Sequence, residues 1–156
     1  MKWIVIGGLV AGLLDISFAC TYWAIARDVP AQRIFQSVAS GLLGKEAYAG
    51  GWRTAALGLG LHFFMTLAMA AAYYMASRQV PALWRRPLMF GAAYGLILYA
   101  VMNFVVVPLS RAGGSGPRND LWTWSGIAAH VLLVGIPIAL SIQRAHAART
   151  PAGVPR

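Results

Sequence analysis

The sequence predicts an all-α integral membrane protein: a four-helix bundle with a short amphipathic helix lying at the interface in its first loop. Three observations lead there. Four apolar runs are each long enough to cross a bilayer core, which takes about 20 residues. Hydrophobic residues make up 59% of the chain and charged residues only 11%, where a soluble domain carries about 25% charged. The charged residues that remain stand mostly at the edges of the apolar runs, where they meet headgroups and water.

The first span is predicted over 3–26. Gly8, Gly12, Asp15, Ala19 and Tyr22 recur at three- and four-residue intervals and share one face. The Gly8-xxx-Gly12 pair permits close approach of another helix. Asp15 then points into a helix interface, since a charge at the centre of a membrane helix costs about 2.5–3.5 kcal/mol on insertion scales. Lys2 and the apolar residues after it resemble the start of a signal peptide. Asp15 interrupts that pattern and the apolar run continues past Cys20, so a retained span is expected.

Residues 27–53 form the longest connection. An interfacial helix is expected over 30–43, with Pro30 in its first turn, Asp28 as its cap and Gly44 as its stop. Ile34, Phe35, Val38 and Leu42 fall on one side; Arg33, Gln36, Ser37 and Ser40 fall largely elsewhere. The second span is predicted over 54–77, with Gly58, His62, Thr66, Met69 and Tyr73 in one stripe. The third covers 86–109, with Gly91-xxx-Gly95, then Tyr99 and Asn103 one turn apart, and Pro108 closing it. A Gly-rich loop, 111–120, leads to the fourth span, 121–143. Trp122 and Trp124 anchor that span at the interface, Gly126 and His130 share a face, and Pro137 frees the carbonyl of Leu133. Residues 1–143 thus make a single transmembrane domain, and 144–156 a disordered basic tail.

The net charge of +9 raises nucleic acid as a partner, but no basic block is interleaved with aromatics. The lipid bilayer is the expected partner, with a second copy of the chain or a membrane-complex subunit as further candidates. Lys2, Arg78, Arg85, Arg86, Arg144, Arg149 and Arg156 fall on the side of the termini, three of them crowded into one short turn. Both termini are therefore placed in the cytoplasm. The single cysteine, Cys20, excludes an internal disulfide and a Cys-rich metal site.

With a rise of about 1.5 Å per residue, His62 and His130 each lie about 12 Å below the outer edge, Asn103 about 9 Å and Asp15 about 16 Å. Each span therefore contributes one strong polar group to a layer roughly two turns deep. Three readings of Asp15, His62, Asn103 and His130, with Tyr99 and Thr66 beside them, stay open. They are hydrogen bonds that hold helices together. They form a proton-sensitive or ligand-binding cluster, because His titrates near neutrality and a buried Asp can approach it. Or His62 and His130 ligate haem iron, or with Asp15 a metal. Equal Gly-xxx-His spacing at Gly58/His62 and Gly126/His130, each preceded by a Gly-xxx-Gly helix, suggests a duplicated helix hairpin. No nucleophile with base and orienter and no phosphate loop is evident, so the reading is non-enzymatic.

The run Leu61-His62-Phe63-Phe64, Tyr73-Tyr74, Pro81, Leu83-Trp84, Asn103-Phe104, Val107-Pro108-Leu109 and Ala129-His130 resembles the uncharacterised YagU-type bacterial inner-membrane proteins. The resemblance covers helices two to four. It implies a small multi-pass protein of the inner membrane, in a group loosely associated with acid tolerance. The chain departs from the family in helix one, where Asp15 has no assigned counterpart, and in its shorter first loop.

Overall fold

The computed structural model describes residues 1–112 and 120–148, all helix and turn. Helix α1 is Lys2–Arg27, α2 is Ala31–Leu43, and a 3-10 segment, Gly44–Ala49, leads into α3, Gly51–Gln79. A single turn, α4 (Ala82–Arg85), precedes α5, Pro87–Leu109; α6 is Asp120–Ala147. By length and composition α1, α3, α5 and α6 are the four candidate membrane spans. Even α5, with 23 residues, is about 34 Å long, enough to cross a hydrocarbon core of about 30 Å. The described residues therefore form an all-α bundle with four helices long and apolar enough to cross a membrane.

Helix α1 lies between α3 and α6, and α5 packs on the far side of α6. Small residues set these contacts. Gly8 sits against Thr66 and Leu67 of α3, Gly91 against Gly135, Ile136 and Ala139 of α6. Between α3 and α5 the backbones stay apart and long side chains bridge the gap: the Tyr94 hydroxyl donates to the Met69 carbonyl at 2.9 Å. The core joins Ala11, Ala70, Tyr73, Tyr74, Leu98, Val134, Ile138, Ala139 and Ile142. Lipid tails are as apolar as these side chains, so close packing rather than a hydrophobic drive holds the helices together.

The end of α1 corrects one expectation. Asp28 does not cap α2. It takes a left-handed conformation, φ 53°, and closes α1, its N–H bonding to Ala24 O while that of Val29 bonds to Trp23 O. A short polar side chain tolerates that conformation, and Pro30 then stops any continuation. Gly44, at φ 69°, ends α2 as expected.

Helix α2 docks with Gln36, Ala39 and Ser40 buried against α3. Arg33, Ser37 and Leu42 are exposed, and Ile34, Phe35 and Val38 are half-buried, so the polar residues divide between the two sides. Gln36 and Ser40 turn inward because of the surface α2 meets. The start of α3 offers the Gly51 carbonyl and the Thr54 hydroxyl, which Gln36 reaches at 3.0 and 3.4 Å. One turn on, Gly58 lets the α2 backbone at Phe35 and Ala39 come into contact. Replacing Gln36 by Leu is expected to cost about 1 kcal/mol. Hydrogen exchange should show the α2 amides opening faster in that variant while those of α1 and α6 are unchanged.

Both later spans contain a widened turn just ahead of a proline. Met102–Val106 and His130–Gly135 are π-helical. The N–H of Val107 bonds to Met102 O, and that of Ile136 to Val131 O. Pro108 and Pro137 follow directly; each lacks an N–H and crowds the carbonyl four residues back. Widening the turn accommodates that carbonyl without breaking the helix. Helix α6 continues to Ala147, so Arg144 to Ala147 are helical and not part of a tail. The rest of the expected tail, 149–156, and residues 113–119 of the Gly-rich loop lie outside the described residues.

Candidate functional site

The polar layer resolves into two seats, one in each helix hairpin. The first lies in the seam between α1 and α3. Gly12 leaves α1 bare at the level of Phe63 and Thr66, which lets the His62 ring reach across. Its Nε2 lies 2.9 Å from the Gly12 carbonyl and 4.0 Å from Asp15 Oδ2. A carbonyl only accepts, so Nε2 carries a hydrogen and Nδ1 is the nitrogen left to gain a proton. The two side chains are 12% and 22% exposed, so each is mostly taken out of its surroundings. Thr66, on the same face, is buried and donates its hydroxyl to Phe63 O of its own helix at 3.1 Å. It shapes the seam and does not bond to Asp15.

The second seat lies between α5 and α6. Gly95 sits directly on the backbone of His130 and Val131. His130 turns back on its own helix, Nδ1 to Gly126 O at 3.0 Å, with the Tyr99 ring edge-on at 5.4 Å. Asn103, exposed, donates its amide to Tyr99 O at 2.9 Å. The π-helical segments begin at Met102 and His130, so the widened turns coincide with this seat. Among the described residues no ion pair or hydrogen bond joins the two seats.

The repeated spacing does correspond to repeated packing. Gly12 meets α3 beside His62, and Gly95 meets α6 at His130. The imidazoles then diverge, one crossing to the partner helix and one folding back. His62 places one ring nitrogen on a backbone carbonyl across the α1–α3 seam, and His130 places one on a carbonyl of its own helix. Among the described residues no group of three or more His, Cys, Asp or Glu is placed to hold a metal ion.

A third histidine was missed by sequence reasoning. His146 stands near the end of α6, inside the stretch read as a tail. Its ring stacks on Trp84 of α4 at 5.1 Å and 10°, and its Nε2 lies 2.9 Å from Ser77 Oγ. Ser77 spends its one hydroxyl hydrogen on Tyr74 O at 2.7 Å, so His146 donates. The signal was present: Ile138, Ser141, Ile142 and Ala145, all buried, carry the helical period past 143.

At the opposite end of the bundle, Trp122 of α6 packs against three rings of α1. Its centroid lies 6.1 Å from Phe18, 4.8 Å from Tyr22 and 5.0 Å from Trp23. This cluster closes α1 onto α6 near the membrane edge, where amphipathic rings are favoured. No family model, curated protein or solved structure matches the chain.

Proposed function

We propose that this is a small, non-enzymatic, four-span protein of a bacterial inner membrane, with both termini in the cytoplasm, whose α1–α3 seam holds a proton-sensitive pair, His62 and Asp15. The observation that carries the reading is the 4.0 Å approach of these two side chains within candidate spans. The crowding of Arg78, Arg85 and Arg86 into one short turn supports the orientation. The resemblance to YagU-type proteins supports the location, and their loose association with acid tolerance suits a proton-sensitive seam.

The chemistry is that of a two-state contact. With His62 neutral, Asp15 faces an N–H dipole. With His62 protonated, it faces a full positive charge. Unit charges 4 Å apart attract by about 4 kcal/mol at an effective dielectric of 20. That is comparable with the ~2.5–3.5 kcal/mol insertion cost of one charged side chain, so a change of protonation is large enough to alter how tightly α1 and α3 hold together. Gly8, Gly12, Gly91 and Gly95 are all used in contacts within the chain, so these small faces do not call for a second copy.

The test is thermal stability in mild detergent from pH 8 to pH 5. The stability of the wild type is expected to carry a pH dependence that comes from the His62–Asp15 contact. His62→Gln and Asp15→Asn should each change the profile in the same way. Any contribution from His130 or His146 is common to all three proteins and cancels in the comparison. Superimposable profiles would count against the proposal.

A further inference from the structure

The chain has only four acidic side chains, Asp15, Asp28, Glu46 and Asp120. The first lies within α1, and the other three lie towards the end of the bundle away from the termini. The end where α1 begins and α6 finishes carries Lys2, Arg78, Arg85, Arg86 and Arg144, and no acidic side chain among the described residues. Three of these cations rest on aromatic faces. Lys2 and Arg144 each lie 5.7 Å from the Trp3 ring, and Arg85 lies 5.4 Å from Trp84. Arg78 and Arg86 are different: both are exposed, and neither guanidinium makes an ion pair, hydrogen bond or ring contact among the described residues.

Beside Arg86 a groove of about 450 Å³ lies between α5 and α6, lined by Arg86, Pro87, Leu88, Met89, Leu140 and Gln143. Helix α5 leaves this end of the bundle and α6 returns to it. Arg86 and Gln143 therefore mark the outer end of the groove, and Leu88, Met89 and Leu140 lie further into the spans. Leu88 and Met89 are more than half exposed, as a wall waiting for an apolar neighbour is.

We propose that this groove seats an anionic phospholipid, its phosphate on Arg86 and one acyl chain along Pro87, Leu88, Met89 and Leu140. The occupant must be apolar along most of its length, anionic at one end, and present at the depth of the membrane surface; a lipid of that leaflet is all three. Gln143 supplies an amide donor for the remaining headgroup oxygens. Basic pockets between spans are a recognised lipid-headgroup device. A zwitterionic lipid also has a phosphate, but its ammonium group finds no carboxylate among the described residues at this end of the bundle, where the charged side chains are all cations. The groove thus selects net negative charge. The inference rests on the four spans and is independent of the Asp15–His62 proposal.

The test uses the full chain in mild detergent, with phosphatidylglycerol, phosphatidylcholine or inorganic phosphate added to separate portions. Phosphatidylglycerol is expected to raise Tm by about 2–4 °C, as a ligand worth a factor of several in the folding equilibrium does for a chain of this size. Phosphatidylcholine and phosphate alone should give little. Arg86→Gln should lose the shift, Arg86→Lys should keep part of it, and Arg78→Gln, at the same end but outside the groove, should keep it whole. An equal shift with phosphatidylcholine, an equal shift with phosphate alone, or full retention in Arg86→Gln overturns the proposal. Native mass spectrometry of the wild type gives a second readout that needs no variant. Preferential retention of phosphatidylglycerol supports the site, and equal retention of both lipids overturns it.

Discussion

Gly135→Ala is expected to destabilise the protein by about 1–3 kcal/mol or to prevent assembly of the second hairpin, whereas Gly60→Ala should be neutral or stabilising by up to ~1 kcal/mol. The two glycines sit in candidate spans but face opposite surroundings. A Cβ on Gly135 would fall directly on the Gly91 carbonyl and the Gly95 backbone. Backbone cannot rotate out of the way as a side chain can, so α5 and α6 would have to separate. That separation would also loosen Leu98, Val134 and Ala139 in the core and pull the Tyr99 ring off His130. At Gly60 a Cβ would meet nothing within 4 Å, and only the helix preference of alanine remains. Unfolding in mild detergent, followed by tryptophan fluorescence, measures both.

Trp122→Ala is expected to cost about 2 kcal/mol or more, and Trp124→Ala about 0.5 kcal/mol or less, although the two stand one residue apart. Trp122 makes three ring contacts with α1, each worth about 0.5–1.5 kcal/mol beyond its buried area and not strictly additive. Trp124 is 70% exposed and has no ring partner among the described residues. The loss at Trp122 should appear as fraying of one end of α1. Hydrogen exchange at Tyr22 and Trp23 would rise, while the amides near Gly8 stay protected. A uniform loss along α1 would show that the cluster is not the local clasp described here.

The spans were legible because a bilayer imposes a long apolar run on any helix that crosses it. Helix ends were less so. Arg144 and His146 read as the start of a tail, yet the buried series from Ile138 to Ala145 keeps them helical. The inward turn of Gln36 could not be read from the residues of α2 alone. It follows from what the start of α3 presents to Gln36, a tertiary fact. The polar layer shows the same limit. Rise per residue gives depth along an axis but not which way a side chain turns about it. Asp15 and His62 meet because Gly12 opens the seam between them. His130, at a matching depth, turns to Gly126, and Asn103 to Tyr99. The prolines were visible in the sequence, but the π-helical turns that accommodate them appear only in the folded structure.

The central claim is that His62 changes protonation in contact with Asp15. The most direct test is nitrogen magnetic resonance of ¹⁵N-labelled histidine in lipid bilayers, with the His62 signals assigned by His62→Gln. The account predicts the Nε2–H tautomer at pH 8, a ring protonated on both nitrogens at pH 5, and a midpoint that moves when Asp15 is replaced by Asn. A His62 ring unchanged between pH 8 and pH 5, or a midpoint indifferent to Asp15→Asn, would contradict it and leave the pair as a packing contact between two helices.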